Sequence, residues 1–462
     1  MTSRTAVRGW NRTLTALLAA AIAVSQASYV LAGSYRNGAV GGVVIQNDGV
    51  VQNATVDQRL ALARTLREEL QPPAAEANRA VEMRKVSLKA LEAACEKALA
   101  DNTGTLPDEI RYLGGLLRVQ YMFVYPDEQD IVLAGPAEGW KVDDAGNVVG
   151  ATTGRPVLQL DDLIVALRCV TGARQGGISC SINPTPEGNR KLKEFLDQQA
   201  KVRPTQRRNI AQLEQTMRQL FGPQVISLTG VPSTSHFARV LVAADYRMKR
   251  LAMNLDPSPL AGFPSYVELL KNGDKDTRDT PRWWLACNYE PVAKSGDNLA
   301  WELRGQGVKC LTEDDAFLAD GSTQQTGKAS PTAQKWADMM TERYDELSVK
   351  EPIFGELRNA MDLCIVAALI DQYDLTAQAG CSLTLLTSSE SEVLMPRYWN
   401  APTSVPPQCS FLSAGNRLIV SASGGVQIAL FDVAARTETV DAIGELRNRA
   451  GGKPTGDSWW WN

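Results

Sequence analysis

One stretch, Val231–Pro291, constrains the fold more than any other part of the sequence. It opens with VPSTSHFARVLVAADYRMKRLAMNL, in which apolar residues recur every three or four positions from Phe237 to Leu255. This period predicts a helix of about five turns with one apolar face against a core. Ser233 or Ser235 is the expected N-cap, because a serine oxygen accepts the free N–H groups of the first turn. We expect the rest of the chain to pack around this helix.

His236, the only histidine of the chain, lies at the capped end of this helix. The positive end of a helix dipole disfavours imidazolium there and favours a neutral base near pH 7. A catalytic Ser–His pair is one interpretation, but the chain has no G-x-S-x-G motif, and a triad also needs an orienting carboxylate. The other interpretation, which we favour, is a packed or capping side chain, for which His236→Ala costs about 1 kcal/mol or less. His236 remains a candidate ligand-binding residue.

The composition excludes several classes of protein. A single histidine among 462 residues excludes metal sites built on two or three imidazoles. Neither G-x-x-x-x-G-K-[ST] nor a G-x-G-x-x-G following a strand occurs, so phosphate-binding loops are missing. The 48 basic residues are balanced by 52 acidic ones, which provides no electrostatic surface for nucleic acid. We therefore expect no cofactor, no metal site and no nucleic-acid partner.

The first 32 residues have the pattern of a secretory signal. Three arginines precede the apolar run Leu14–Val24, and small residues follow it. An apolar run of this length is too short for an ordinary membrane span and is typical of a signal peptide. Cleavage is expected after Ala32, with Ala27 as the second choice, and an uncleaved anchor helix is the alternative. The sequence thus predicts an exported protein, periplasmic or extracellular, with no integral membrane segment after cleavage.

Eight cysteines and no C-x-x-C pair favour disulfides over metal or redox sites in an exported protein. We expect bridges between Cys169 and Cys180 and between Cys287 and Cys310, and a third between Cys381 and Cys409. For the other two cysteines, on apolar helix faces, a free thiol and a bridge are both open.

The periodicities predict an α/β or α+β fold with two lobes of mixed sheet and packed helices. A duplication of one lobe and a chance similarity are both open, because L-P-x-x-I-x-x-L at 106–113 and F-P-x-x-V-x-x-L at 263–270 each precede a pair of strands. A cleft between the lobes is the default binding site. The predicted divisions are a signal peptide (1–32), a leader with a helical hairpin over 55–70 and 74–100 (33–104), a first lobe (105–230), a second lobe (231–440) and a flexible Trp-rich tail (441–462).

Tryptophans supply the remaining candidates for ligand binding. Trp283 and Trp284 are adjacent in a predicted strand and must point to opposite faces of a sheet, so that one of them is partly exposed. Trp301 lies in a second predicted strand. Core packing is the alternative for all three. The three tryptophans at the end of the tail are expected to pack back, contact a partner, or lie at a membrane or wall surface.

Several phrases of the sequence resemble one protein family. VPSTSHFARVLVAADYRMKRLAMNL, RWWLACNYEP, VKCLTEDD and ELRNAMDLCIVAALI are similar to the domain of unknown function 1598 family, and IVLAGPAEGW resembles its first half. The resemblance spans residues 106–428. It implies an exported protein in a cell-envelope setting, of the kind typical of planctomycete bacteria. It implies no known activity and no catalytic residues.

The function we predict is binding or scaffolding in the cell envelope, with an unidentified envelope protein or glycan as the partner. No catalytic residue is assigned, since every motif that depends on histidine or phosphate is missing. The alternative is a hydrolase of envelope glycans that uses two carboxyl groups about 5–9 Å apart, a chemistry that needs no histidine. In that case tryptophans beside the two acids would hold the sugar rings.

Overall fold

Two mixed β-sheets of seven strands each organise the chain in the computed structural model. The structure describes residues 41–101, 106–200, 210–271, 280–318, 320–388, 394, 399–408, 413–414, 417–418, 423–451 and 458–462. Mixed sheets with packed helices confirm the predicted fold class. The predicted signal peptide lies outside the described residues.

The strands are β1 (Val43–Ile45), β2 (Val51–Asn53), β3 (Val81–Ser87), β4 (Tyr121–Tyr125), β5 (Asp130–Ala137), β6 (Trp140–Val142), β7 (Val148–Gly150), β8 (Ile178–Pro184), β9 (Gln224–Thr229), β10 (Thr280–Asn288), β11 (Val292–Lys294), β12 (Ala300–Glu302), β13 (Gly307–Phe317), β14 (Thr323–Gln325), β15 (Ser404–Val405), β16 (Ser413–Ala414), β17 (Arg417–Leu418), β18 (Ser423–Ile428), β19 (Thr437–Thr439) and β20 (Trp460–Trp461).

The helices are α1 (Val56–Glu69), α2 (Leu88–Ala100), α3 (Asp108–Arg111), α4 (Leu160–Cys169), α5 (Pro186–Ala200), α6 (Ile210–Phe221), α7 (His236–Ala252), α8 (Tyr266–Lys271), α9 (Pro331–Glu342), α10 (Tyr344–Lys350), α11 (Pro352–Gln372), α12 (Leu375–Ala379), α13 (Thr384–Thr387), α14 (Leu430–Ala434) and α15 (Asp441–Ala450).

Strands from both predicted lobes share each sheet. Sheet 1 has the order β14-β13-β10-β18-β8-β9-β15, and sheet 2 has the order β19-β11-β12-β4-β5-β3-β20. One neighbouring pair in each is parallel, β10 with β18 and β11 with β19, and the others are antiparallel. The second strand of the second predicted repeat, β12, pairs with β4 of the first. The sheets therefore do not follow the predicted division at residue 230.

Helices α7 and α11 form the centre of the molecule. Every residue of α11 from Ile353 to Ile370 is buried, as its nearly continuous apolar sequence predicts. Ser235 caps α7, because its Oγ accepts the Ala238 N–H at 3.0 Å. Helix α7 packs against β8 and β18 on one side and against α4 and α11 on the other. It is therefore buried almost all round, and not only along the predicted stripe.

The predicted second helix over residues 74–100 is wrong in its first half. Val81–Ser87 forms β3, and α2 begins only at Leu88, where Ser87 Oγ accepts the Ala90 N–H at 2.9 Å. Alternate residues of β3, VEMRKVS, point to opposite faces of sheet 2. The strand pairs with β5, which is distant from it in the sequence. The short leader before α1 forms the β1–β2 hairpin.

The predicted tail over 441–462 contains a helix and a strand among its described residues. Residues 441–450 form α15, and β20 pairs antiparallel with β3 at the edge of sheet 2. Trp459 and Trp460 are buried there. Of the three alternatives for the terminal tryptophans, the structure shows packing back for Trp459 and Trp460.

The predicted disulfides are wrong for the described cysteines, all seven of which are free. Cys310 stands opposite Leu285, and Cys287 opposite Val308. The two thiols are thus diagonal neighbours, with Cα atoms about 7–8 Å apart, too far for a bridge. Cys180 is buried beside α7, whereas Cys169 ends α4 and is half-buried. Cys409, the expected partner of Cys381, lies outside the described residues.

No described helix is both long and apolar enough to span a bilayer.

Candidate functional site

Three helices bring their N-terminal turns together around a group of buried ionisable side chains. Asp162 lies in the first turn of α4, His236 is the first residue of α7, and Glu356 is the fifth residue of α11. Their exposed fractions are only 5%, 5% and 7%. We call these three residues the N-terminal cluster. The Trp399 ring lies beside His236, with 6.1 Å between the ring centroids.

The Asp162 carboxylate holds the His236 ring from one side. Its two oxygens lie 3.0 and 3.1 Å from Nδ1, which therefore carries the proton and donates. On the other side, His236 Nε2 is 3.3 Å from the amide Nε2 of Gln159. In this arrangement Nδ1 donates to the carboxylate, and Nε2 faces the amide of Gln159. The contact between imidazole and carboxylate spans 74 positions of sequence.

Glu356 is the third member of the N-terminal cluster. Burial raises the pKa of its carboxyl from 4.5 to about 7; His236 acts against this rise, and the nearby negative charges of Asp162 and Asp143 add to it. Within the part of the chain that the structure describes, Glu356 Oε2 has no hydrogen-bond partner. The carboxyl therefore holds its proton up to about neutral pH and takes up a charge in a buried position above it.

The cluster lacks the nucleophile of a catalytic triad. Ser235 Oγ donates to the Pro232 carbonyl at 2.7 Å and accepts the Ala238 N–H, so its hydroxyl is committed to the cap. Ser233 is exposed and lies outside the cluster. His236 thus lies within hydrogen-bond reach of a carboxylate, but neither of the two clefts described below is lined by it. Among the described residues, no group of three or more His, Cys, Asp or Glu side chains has a metal-binding arrangement.

The three candidate tryptophans have different environments. Trp283 is fully buried in sheet 1, where its ring meets Trp336 and Tyr266 edge to face at 5.1 and 4.9 Å. Trp284 points to the other face of the sheet and is half-buried. Trp301 is also fully buried, and its Nε1 donates to the Asn298 carbonyl at 3.0 Å. Two of the three therefore pack in the core.

A cleft of about 750 Å³ opens at the C-terminal ends of α4 and α11. We call it the α4–α11 cleft. Its polar lining combines the carboxylates of Asp371 and Asp374 with Arg168 and with several hydroxyl groups. These belong to Thr171, Thr376, Ser382, Thr384, Thr387 and Ser388. No tryptophan lines it.

Two arginines fix the walls of this cleft. The guanidinium of Arg168 donates to the carbonyls of Leu385 and Leu386, at 2.9 and 3.3 Å, and to that of Leu394 at 2.9 Å. Arg174 forms an ion pair with Asp371 and lies over the Phe431 ring, 4.7 Å from its centroid. Arg174 also lines a second cleft of about 230 Å³ between residues 173–177 and 427–432. The ion pair therefore stands between the two clefts.

A buried ion pair ties α7 to sheet 1. Lys249 Nζ donates to Asp245 Oδ2 at 3.0 Å and to the carbonyls of Ile182 and Gly424 at 2.8 and 3.2 Å, and both charged side chains are fully buried. Burial lowers the pKa of Lys249 and raises that of Asp245. Because α7 carries this pair on the face that meets β8 and β18, its register against the sheet is fixed.

Sequence reasoning found His236 but missed its partners. Asp162 and Glu356 lie 74 positions before and 120 after it, so no spacing motif connects them. The available signal was the charge itself: Glu356 interrupts the apolar run that becomes α11, and Asp245 and Lys249 interrupt α7. An ionisable residue on a face that must be buried predicts a partner.

Comparison with known proteins gives one match. Residues 180–266 match the family model described as "Protein of unknown function (DUF1598)", from β8 to the start of α8. No curated protein matches the chain, and no solved structure matches it. The match contains the whole of α7, with His236, Asp245 and Lys249. It confirms the resemblance to this family over residues 180–266.

Proposed function

We propose that this protein is exported to the cell envelope and binds a glycan there in the α4–α11 cleft. The observation that carries the proposal is the cleft itself. Its volume of about 750 Å³ lies within the range of small-molecule and cofactor sites, about 300–1,000 Å³. Hydroxyl and carboxylate groups along its walls are suited to exchange hydrogen bonds with the hydroxyls of a sugar.

Side chains of the protein hold the walls in place, which favours binding. Arg168 ties the segment around Leu385 and Leu394 to α4 through backbone carbonyls. The negative charge of Asp371 is balanced by its ion pair with Arg174, whereas Asp374 is exposed at the mouth of the cleft. A preformed site avoids the entropy loss of ordering loops on binding. The exposed carboxylate of Asp374 favours a sugar that carries an amine.

Calorimetric titration with glucosamine oligomers and with N-acetylglucosamine oligomers tests the proposal. We expect the amine-bearing oligomers to bind more tightly, and Asp374→Asn to weaken their binding about tenfold, since a hydrogen bond to a charged group contributes about 1.5–3 kcal/mol. Asn also tolerates the left-handed backbone of position 374, where φ is 49°. Asp57→Asn, an exposed change on α1, none of whose residues lines the cleft, is the matched control. Absence of binding by either oligomer would refute the proposed function.

A carboxylate-dependent glycan hydrolase is the second candidate, and the pair Asp371 and Asp374 in one cleft is the observation in its favour. The same oligomers distinguish the two functions. Release of new reducing ends by the wild type, lost in both Asp371→Asn and Asp374→Asn, would establish hydrolysis. Binding without release supports a binding protein.

Export has its own test. Expression of the whole chain in a bacterial host, followed by fractionation and N-terminal sequencing, should yield an envelope protein that begins at Gly33. A cytoplasmic protein that retains residues 1–32 would contradict the proposed location.

A further inference from the structure

Sheet 2 ends in a groove that is filled by a short aromatic strand. The strand, which we take together with its flanking residues as the segment 458–462, contains β20 (Trp460–Trp461). We call the groove, formed by β3, α3 and Gly114, the edge groove. Trp460 stands opposite Val86 and Trp461 opposite Lys85, and the Ser87 N–H donates to the Trp459 carbonyl at 3.0 Å. Without this strand, β3 would be the edge of sheet 2, with unpaired backbone groups.

Side chains of the edge groove contact each position of the strand differently. The Trp460 indole N–H donates to Glu109 Oε1 at 2.7 Å, and the Arg84 guanidinium lies 4.7 Å from the centre of the same ring. Arg84 Nε donates to Asn462 Oδ1 at 2.9 Å. Lys85 Nζ lies 5.6 Å from the Trp461 ring. These contacts specify an extended peptide with two adjacent aromatic residues, the first an indole, followed by a side-chain amide.

The edge groove does not depend on the strand for its own shape. Arg84 is fully buried, and its two Nη atoms donate to four carbonyl groups of residues outside the strand: those of Glu76, Ala77, Arg79 and Gly114. Only its Nε bonds to the strand. The Gly114 backbone forms the wall against Trp460, and an added Cβ there would come within 3.4 Å of the ring. Removal of residues 458–462 would therefore leave most contacts of Arg84 in place.

We propose that the edge groove is a peptide-binding site that accepts a Trp-containing β-strand, and that residues 458–462 are its exchangeable resident ligand. Backbone pairing with β3 provides affinity, and Arg84 and Glu109 provide selectivity for the aromatic residue, as in other cases of binding by strand addition. The proposal is independent of the glycan-binding function, since the groove and the α4–α11 cleft share no lining residue.

The test uses the full chain, folded before it is cut. Residues 452–457, which connect α15 to the strand, are replaced by a protease recognition sequence. A fluorescein-labelled peptide, Ser-Trp-Trp-Trp-Asn, is added to the cut and the uncut protein, and binding is followed by anisotropy. A tethered strand has an effective concentration in the millimolar range, so a peptide of about ten micromolar affinity should bind the uncut chain about a hundredfold more weakly than the cut chain.

Two substitutions test how the strand is recognised. Glu109→Ala should weaken binding of the peptide to the cut chain about tenfold, because the indole loses a bond to a charged acceptor. Glu82→Ala, an exposed change on β3, should leave binding unchanged. A peptide with alanine at the position of Trp460 should fail to bind.

Each other outcome overturns the proposal. If the cut chain keeps its own strand and takes up no peptide, residues 458–462 are a permanent part of the sheet. If cut and uncut chains bind the peptide equally, or if the alanine peptide binds as well as the original, the binding is unspecific. If cutting unfolds the protein, as judged by circular dichroism, the segment is an obligatory structural element.

Discussion

Replacement of Glu356 by glutamine should stabilise the protein at neutral and alkaline pH. Glu356 is 7% exposed, at the point where α4, α7 and α11 begin, and its carboxyl has a pKa of about 7 in place of 4.5. Groups that face it are His236 from α7, Asp162 from α4, and Asp143. Glutamine has nearly the same shape and never takes up a charge, so the substitution removes only the cost of ionisation.

The sign and size of the effect follow from proton binding. Between pH 4.5 and about 7 the folded protein keeps the proton on Glu356 and the unfolded chain has lost it. The free energy of unfolding therefore falls as pH rises through this window and changes no further above it. At 1.36 kcal/mol for each pH unit between the two pKa values, the cost reaches about 3 kcal/mol. This loss should be absent from the glutamine variant.

Urea denaturation of both proteins, near pH 5 and near pH 8, measures the difference. We expect the advantage of Glu356→Gln to grow by about 2–3 kcal/mol between the two conditions. Glu290→Gln, at an exposed position, controls for a general effect of removing one negative charge and should show no comparable growth. If Glu356→Gln is no more stable than the wild type near pH 8, the charged Glu356 has a stabilising partner and the reasoning above is wrong.

Three further substitutions address α7, each measured by the same denaturation experiment. Met248→Ala should destabilise by about 2–5 kcal/mol, since the side chain is fully buried, and a loss under 1 kcal/mol would contradict its place in the core. His236→Ala should cost about 1–3 kcal/mol, more than the sequence alone predicts, because the buried Asp162 carboxylate loses its donor. Lys249→Met should cost about 3–5 kcal/mol by leaving Asp245 charged and unpaired, and Asp245→Asn in the same chain should recover part of this loss.

Local patterns predicted the central helices well. The N-cap of α7 and the burial of α11 follow from residues within one or two turns, so periodicity and capping rules suffice for them. The strand β3 was missed because its partners, β5 and β20, lie about 50 and 375 positions further along the chain. A segment that reads as either helix or strand takes the form that its distant partners impose.

The site was only half predictable for a related reason. His236 stood out because it is the only histidine, whereas its contact with Asp162 depends on how α4 and α7 cross. The disulfide predictions were wrong because the spacing of cysteines in the sequence does not determine the register of the strands. Cys287 and Cys310 are on adjacent strands but offset by two positions. For Trp283 and Trp301, the two buried tryptophans, the residue type alone does not distinguish core packing from ligand binding. A large apolar ring is suited equally to both roles.

The position of β18 has a consequence for the order in which the protein can be made. Residues 423–428 lie between β8 and β10, which are synthesised much earlier. Gly424 fits there because an added Cβ would lie 1.6 Å from the Trp283 carbonyl oxygen. Until β18 leaves the ribosome, β8 and β10 each have an unpaired edge, which exposes the nascent chain to aggregation. The protein therefore cannot complete sheet 1 during most of its own translation, and we expect its folding to be slow and to depend on chaperones.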